Sequence, residues 1–321
     1  MWLFNSSIGR KFIMCLTGAF LVLFVTFHCV MNSVAIFWPA AYNCICEFLG
    51  ANWYALVGTL VLAAGFILHI IYALWLTIQN RKARGNDRYA VTSKPPQVEW
   101  ASQNMLVLGI VILAFLAIHA IQFWYKMQFA EIAGMHTTCD CCGLPVPHAA
   151  GTLFLQMAFG EWYTLPIYLI GFIALWFHMT HGFWSMFQSC GWNGRIWFNR
   201  LKCIANWWTS IVVLLFIAEA VVFTVNAKKH AYSECPALQE QYMEMIDGEY
   251  GAKVFLQEVL PAAPVEACCA EQTCCQGDSC VAESECCGKC AAEGQECCGK
   301  CAAEDQQCCG KCEKNVESEN K

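Results

Sequence analysis

Five long apolar runs, separated by shorter polar stretches, organise the first 230 residues. They fall at about 12–37, 53–79, 103–125, 162–187 and 206–226. Each reaches the roughly 20 residues that a helix needs to cross a bilayer. The first run follows Arg10 and Lys11, as a signal peptide would, but its apolar stretch is too long and no small-residue cleavage site follows promptly, so it reads as a span. One histidine interrupts each of the first four runs: LVLFVTFHCVMN (His28), GFILHIIYALWL (His69), LAFLAIHAIQFW (His119) and IALWFHMTHGFW (His178). A ligating side chain inside an apolar span is costly and marks a functional site.

Composition agrees with the pattern. The 321 residues are 58% hydrophobic and only 14% charged, too apolar for a soluble domain of this size. Charge is segregated. Residues 1–230 carry 13 Lys and Arg against 7 Asp and Glu, whereas residues 231–321 carry 6 against 18. The basic residues lie between apolar runs with no aromatic interleaving, which argues against nucleic-acid binding. Ten of them fall before the first span (Arg10, Lys11), between spans two and three (Arg81, Lys82, Arg84, Arg88, Lys94) or between spans four and five (Arg195, Arg200, Lys202). This asymmetry predicts an inside N-terminus and an outside C-terminus. Lys228 and Lys229, after the last span, weaken it slightly.

Counting depth along alternating helices sorts the histidines. Each lies about 16 residues, or roughly 24 Å, past the start of its span. His28 and His119 therefore reach the outer half and His69 and His178 the inner half. The expected fold is all-α and integral to the membrane: five transmembrane helices, the first four bundled around two haems. Bis-histidine ligation of two stacked b haems needs such level pairs. The bland alternative is four isolated histidines hydrogen-bonded inside a bundle. His181, one turn from His178, competes for its role, while His136, His148 and His230 lie outside the runs or at the end of the last. Gly18, Gly58, Gly65, Gly109, Gly171 and Gly182 offer close approach for helices or a porphyrin.

SIGRKFIMCLTG, FHCVMN, LHIIYALW, IHAIQFW and above all FHMTHGFWSMFQSCGW make residues 5–228 resemble the dihaem cytochrome b membrane subunit of succinate:quinone oxidoreductases, the succinate dehydrogenases and quinol:fumarate reductases, in its single-polypeptide five-helix form. The resemblance selects His178 over His181. It implies an outer haem between His28 and His119 and an inner haem between His69 and His178. It further implies a flavoprotein with FAD and an iron–sulfur protein docked on the cytoplasmic face of a bacterial inner membrane, and a membrane quinone, expected to be menaquinone, as substrate. Dicarboxylate chemistry then belongs to a partner subunit and electron transfer to this one. Arg10 and Lys11 become candidates for haem propionates, beside their plain reading as topology signals.

Quinone chemistry also moves protons. Glu219 (LLFIAEAVVF) is the carboxylate well inside a span, so it reads either as a proton group or as a neutral acid bonded to a neighbouring helix. Glu47, after the first span, is a second candidate. Quinol-oxidising relatives carry a glutamate two residues before the fourth ligand, where this chain has Trp176, so the proton path built on that residue is not expected here.

Three regions are expected: a five-helix domain at 1–230, a weakly helical linker at 231–260, and a low-complexity, acidic, Cys-rich tail at 261–321. The tail repeats CCGKC with an 11-residue period and holds 14 of the 24 cysteines. It suits soft-metal ligation, disulfides or a dispensable extension. The CDCC run at 139–142 would share its side of the membrane. Two rival functions remain: a cytochrome b anchor for a hydrogenase or formate dehydrogenase, and a metal transporter with a metal-receiving tail.

Overall fold

The computed structural model describes residues 6–84, 99–135, 137–138, 145–192 and 194–250. It divides into two compact units, Met1–Thr137 with Val146–Ile246 and Thr138–Pro145 with Asp247–Lys321, and the architecture below is that of the first. His136, the CDCC run, Arg88, Lys94 and the Cys-rich tail lie outside the described residues.

The elements are α1 (Ser7–Phe37), α2 (Pro39–Phe48), α3 (Trp53–Arg84), α4 (Trp100–Gln122), a π-helical turn (Tyr125–Phe129), α5 (Ala130–Ala133), α6 (Gly151–Gly160), α7 (Thr164–Ser189), α8 (Arg195–Lys228) and α9 (Pro236–Tyr250), with two-residue strands at Thr137–Thr138 and Pro145–Val146. Five of the helical stretches, Ile8–Phe37, Trp53–Ala83, Trp100–Ala133, Thr164–Ser189 and Ile196–Lys228, are long and apolar enough to cross a membrane. They coincide with the five apolar runs and suit a multi-pass membrane protein. Leu, Ile, Val and Phe side chains stand exposed along their outer faces. A water-soluble fold does not expose this much contiguous apolar surface. Most exposed tryptophans stand at the two ends, Trp38, Trp53, Trp124 and Trp162 at one and Trp75, Trp100, Trp192 and Trp197 at the other, while Trp207 and Trp208 lie part-way along α8. Such belts suit the two interfaces of a bilayer.

Local chemistry sets the boundaries. The Ser6 side chain caps α1 by accepting from the Gly9 N–H at 2.9 Å. Pro39 lacks an N–H and forces Trp38 out of helical geometry (φ −141°, ψ 77°), so α1 stops and α2 starts with proline in its first turn. After α7 the chain reverses through Gly191 at φ +81°, which a side chain would strain.

Helix packing describes a square. α1 packs against α3 and α7, and α7 packs against α4. Helices α1 and α4 then face each other across one diagonal, α3 and α7 across the other. The fifth long helix, α8, covers α7 and α1. It runs parallel to α1: Trp208 Nε1 donates to Thr26 and Ser33 donates to Glu219. α2, α6 and α9 close the end away from the N-terminus of α1. There Asn43 and Thr152 are fully buried. The Asn43 side chain accepts from the Thr152 N–H and hydroxyl (3.0 and 2.8 Å) and donates to Gln241 (2.9 Å), while Thr152 also bonds Tyr242 (2.7 Å). The 231–260 stretch thus contributes a helix whose Leu238, Tyr242 and Ile246 are buried.

Candidate functional site

The structure brings the four span histidines together as two pairs. The rings of His28 on α1 and His119 on α4 lie 5.7 Å apart at 87°. Those of His69 on α3 and His178 on α7 lie 6.3 Å apart at 63°. Each pair spans one diagonal of the square. Depth counting gave the same pairing, because α1 and α4 run one way and α3 and α7 the other, with the histidine past the middle of its helix in α1 and α4.

Hydrogen bonds fix the chemistry of two rings. Thr17 Oγ1 donates to the Ile13 carbonyl (2.9 Å), so towards His69 it accepts, from Nδ1–H at 3.3 Å. Around His119 the chain of donors is longer. Thr164 Oγ1 gives its proton to the Ala158 carbonyl (2.6 Å) and accepts from Gln122 Nε2 (3.1 Å). That turns Gln122 Oε1 toward Tyr168, whose hydroxyl donates to it at 2.9 Å. Having spent its only proton, Tyr168 Oη accepts from His119 Nδ1–H at 3.1 Å. In both rings Nε2 keeps the lone pair, the state in which a histidine binds iron, with the other N–H held by an oriented acceptor. His178 Nδ1 is buried without a hydrogen-bond partner among the described residues.

Space matches the ligand set. Two imidazoles on opposite sides of one metal, each at a bond length of ~2 Å, place ring centres ~6 Å apart, and both pairs stand at that separation. Glycines flank the inner pair: a Cβ on Gly18 would meet His69 Cε1 at 3.7 Å and one on Gly109 would meet His178 Cε1 at 3.8 Å, both ordinary contact distances. Aromatic rings surround the outer pair. Phe24 stacks on His28 at 5.5 Å and Phe216 lies 6.1 Å from it, while Phe115 and Phe123 flank His119. These residues fit two bis-histidine haems. Among the described residues no cluster of three or more His, Cys, Asp or Glu gathers that could hold a bare metal ion.

The remaining candidates separate. His181 does not face His69. Its Nδ1 lies 3.2 Å from Glu99 Oε2 and its ring 4.8 Å from Trp184. His148 Nε2 bonds the Met135 carbonyl at 2.8 Å. Arg10 stacks over Trp75 at 5.6 Å, near the end of α3 to which His69 belongs, and Lys11 is exposed. Glu219 is 3% exposed and accepts from Ser33 Oγ at 2.7 Å and Cys29 Sγ at 3.7 Å, one residue from His28. Glu47 is exposed at the end of α2. Glu99 and Lys202 pair at 2.6 Å. Burial raises the Glu99 carboxyl, but hydrogen bonds from Lys202 and His181 outweigh it and hold the group below its ordinary value.

Sequence reading missed Thr17, Gln122, Tyr168 and Ser33. A signal was present: Thr17 precedes His28 by 11 residues and Tyr168 precedes His178 by 10, about three turns each. A polar residue three turns from a ligand shares its face at the other level. Comparison of the chain with protein-family models, with curated proteins and with solved structures found no match.

Proposed function

We propose that this chain is the dihaem cytochrome b membrane anchor of a succinate:quinone oxidoreductase, passing electrons between a membrane quinone and an iron–sulfur partner. The observation that carries the reading is the placement of four histidines as two facing pairs on two levels, with the Nδ1–H of one ring in each pair committed to an oriented acceptor. His28 and His119 would hold the outer haem, His69 and His178 the inner. When bound, the haems supply reversible one-electron chemistry at iron. The protein's part is to fix the rings, exclude water and tune the iron through Thr17 and Tyr168. Arg10 and Lys11 stand at the end where the inner haem's propionates would reach basic side chains. Glu219 Oε1 is held by Ser33, and its carboxyl can carry one of the protons that quinone chemistry moves beside the outer pair. The reading sets the N-terminus and the flavoprotein and iron–sulfur partners on the cytoplasmic side of a bacterial inner membrane.

A reduced-minus-oxidised spectrum of the purified complex, with haem and protein quantified together, tests it. Two b haems per chain are expected, falling to one in His69→Ala and in His119→Ala. No haem in the intact complex overturns the cytochrome reading and favours metal transport.

A further inference from the structure

Two cysteines far apart in the sequence meet at the end of the bundle where α1 begins. Cys15 stands about two turns into α1, and Cys190 caps the end of α7, 175 residues later. Their sulfurs lie 2.9 Å apart, and the histidine pairs make no use of them. Local structure holds both. The Met186 carbonyl accepts from Cys15 Sγ at 3.2 Å and from the Cys190 N–H at 3.1 Å. With its hydrogen committed there, Cys15 turns its sulfur lone pairs toward Cys190. Just beyond, Gly191 takes φ +81° and the Trp192 N–H closes back on the Phe187 carbonyl at 2.9 Å, so α7 ends in a defined turn. Cys15 is buried and Cys190 is exposed.

Geometry separates the two reactions open to such a pair. One metal ion bound by both thiolates at ~2.3 Å each would hold the sulfurs roughly 3.8 Å apart or more. Among the described residues no third His, Cys, Asp or Glu joins them in a group that could hold an ion. A disulfide needs a separation of ~2.05 Å, so a small side-chain movement closes the gap.

We propose that Cys15 and Cys190 form a reversible disulfide, a redox-sensitive site that ties the start of α1 to the end of α7. Cys190, the thiol open to solvent, attacks first. The oxidant is a small soluble disulfide. The Cys190 thiolate attacks one of its sulfurs, that S–S bond breaks, and the first small thiolate leaves and takes up the proton that Cys190 lost. The Cys15 sulfur then attacks Cys190 in the mixed disulfide, and the second small thiolate leaves with the Cys15 proton. Two protein thiols are oxidised to one disulfide, and the small disulfide is reduced to two thiols. Excess small thiol reverses both steps. The bond forms close to the inner pair: Thr17, which accepts from His69, follows Cys15 by two residues, and α7 carries His178. It needs no haem, so it stands apart from the cytochrome reading.

The test is to equilibrate the purified full-length protein, in its complex, with mixtures of oxidised and reduced glutathione. Remaining thiols are then alkylated and the chain is mapped by peptide mass spectrometry. The expected result is a cross-linked peptide joining Cys15 to Cys190, lighter by two hydrogens than the separate peptides. Alkylation at both positions falls to nothing on oxidation and returns with dithiothreitol. Cys15→Ser should trap Cys190 as the mixed disulfide with glutathione, and Cys190→Ser should leave Cys15 a thiol. Cys203→Ser, at an exposed cysteine of α8, should change nothing. Cys15 and Cys190 both still alkylated after oxidation overturn the proposal, as does Cys190 joined to Cys203 instead. Protection of both thiols by a bound metal without a cross-link overturns it too. The parent's own map decides, whatever the stability of the variants.

Discussion

The Tyr168 hydroxyl accepts a hydrogen bond from His119 Nδ1 while donating its own proton to Gln122, so a residue on α7 decides which nitrogen of a histidine on α4 keeps its lone pair. The Tyr168 ring is held edge-on by Phe115, Phe159 and Phe172, which gives the hydroxyl little freedom to turn away.

Tyr168→Phe keeps that ring packing and removes only the acceptor. Loss of such a partner lowers affinity for the ligated metal by about 10- to 100-fold. The expected outcome is a raised midpoint potential and partial loss of the outer haem, with the inner haem unchanged. Potentiometric titration followed in the haem absorption bands resolves the two. Equal shifts in both haems would contradict the assignment of Tyr168 to His119.

Glu219→Gln preserves an oxygen to accept from Ser33 but removes the proton-carrying carboxyl. Haem content and thermal stability should match the parent, while quinone-linked turnover falls by about 100-fold or more, the low side of what a lost proton-transfer group costs. Turnover with an artificial electron acceptor that bypasses quinone should be unaffected. Equal loss in both assays would show a structural role.

Gly171 packs directly on the Phe115 ring. A Cβ there would come within 2.9 Å of three of its carbons, closer than any relaxed contact. Gly171→Ala should cost about 1–3 kcal/mol by overpacking. Because Phe115 also lies 5.9 Å from the His119 ring, the outer haem's spectrum should broaden as well. Thermal unfolding in detergent, read beside the haem bands, checks both.

Glu99 supplies a pH dependence. Its folded carboxyl lies below the ordinary value of 4.5, so the ion pair contributes fully above that value and is lost as pH falls through the lowered one. Thermal stability should drop on acidification below that point, and Glu99→Gln should be less stable at neutral pH yet flatter across the acid range. A parent and variant with parallel acid profiles would place the sensitive group elsewhere.

Spans and histidine pairing were legible in the sequence because both depend on rise along a helix, which is fixed at about 1.5 Å per residue. His28 and His119 share a level whatever the rotation of their helices. Rotation and adjacency were not legible. That α1 and α4 stand across a diagonal, and that Tyr168 rather than a neighbour of Gln122 meets His119, depends on side-chain packing between distant segments. The same holds for His181. Depth allowed it beside His178, and only the approach of Glu99 and Lys202 shows which way it turns. Helices α2 and α9 carried weak signals because they are short and mix apolar with polar positions: α9 buries Leu238, Tyr242 and Ile246, yet it meets α2 through the side-chain bond of Asn43 to Gln241.

The bond from Ser33 to Glu219 joins residues 186 apart, the first long helix to the last. During synthesis, the chain must therefore hold the hydroxyl of its opening helix in waiting until the closing one emerges. A ribosome that stalls after α7 releases a four-helix product with all four span histidines present and the α8-facing side of α1 uncovered. In that product the Ser33 hydroxyl keeps only the Cys29 carbonyl of its own helix, 3.0 Å away, and completion of α8 is what gives it a carboxyl instead.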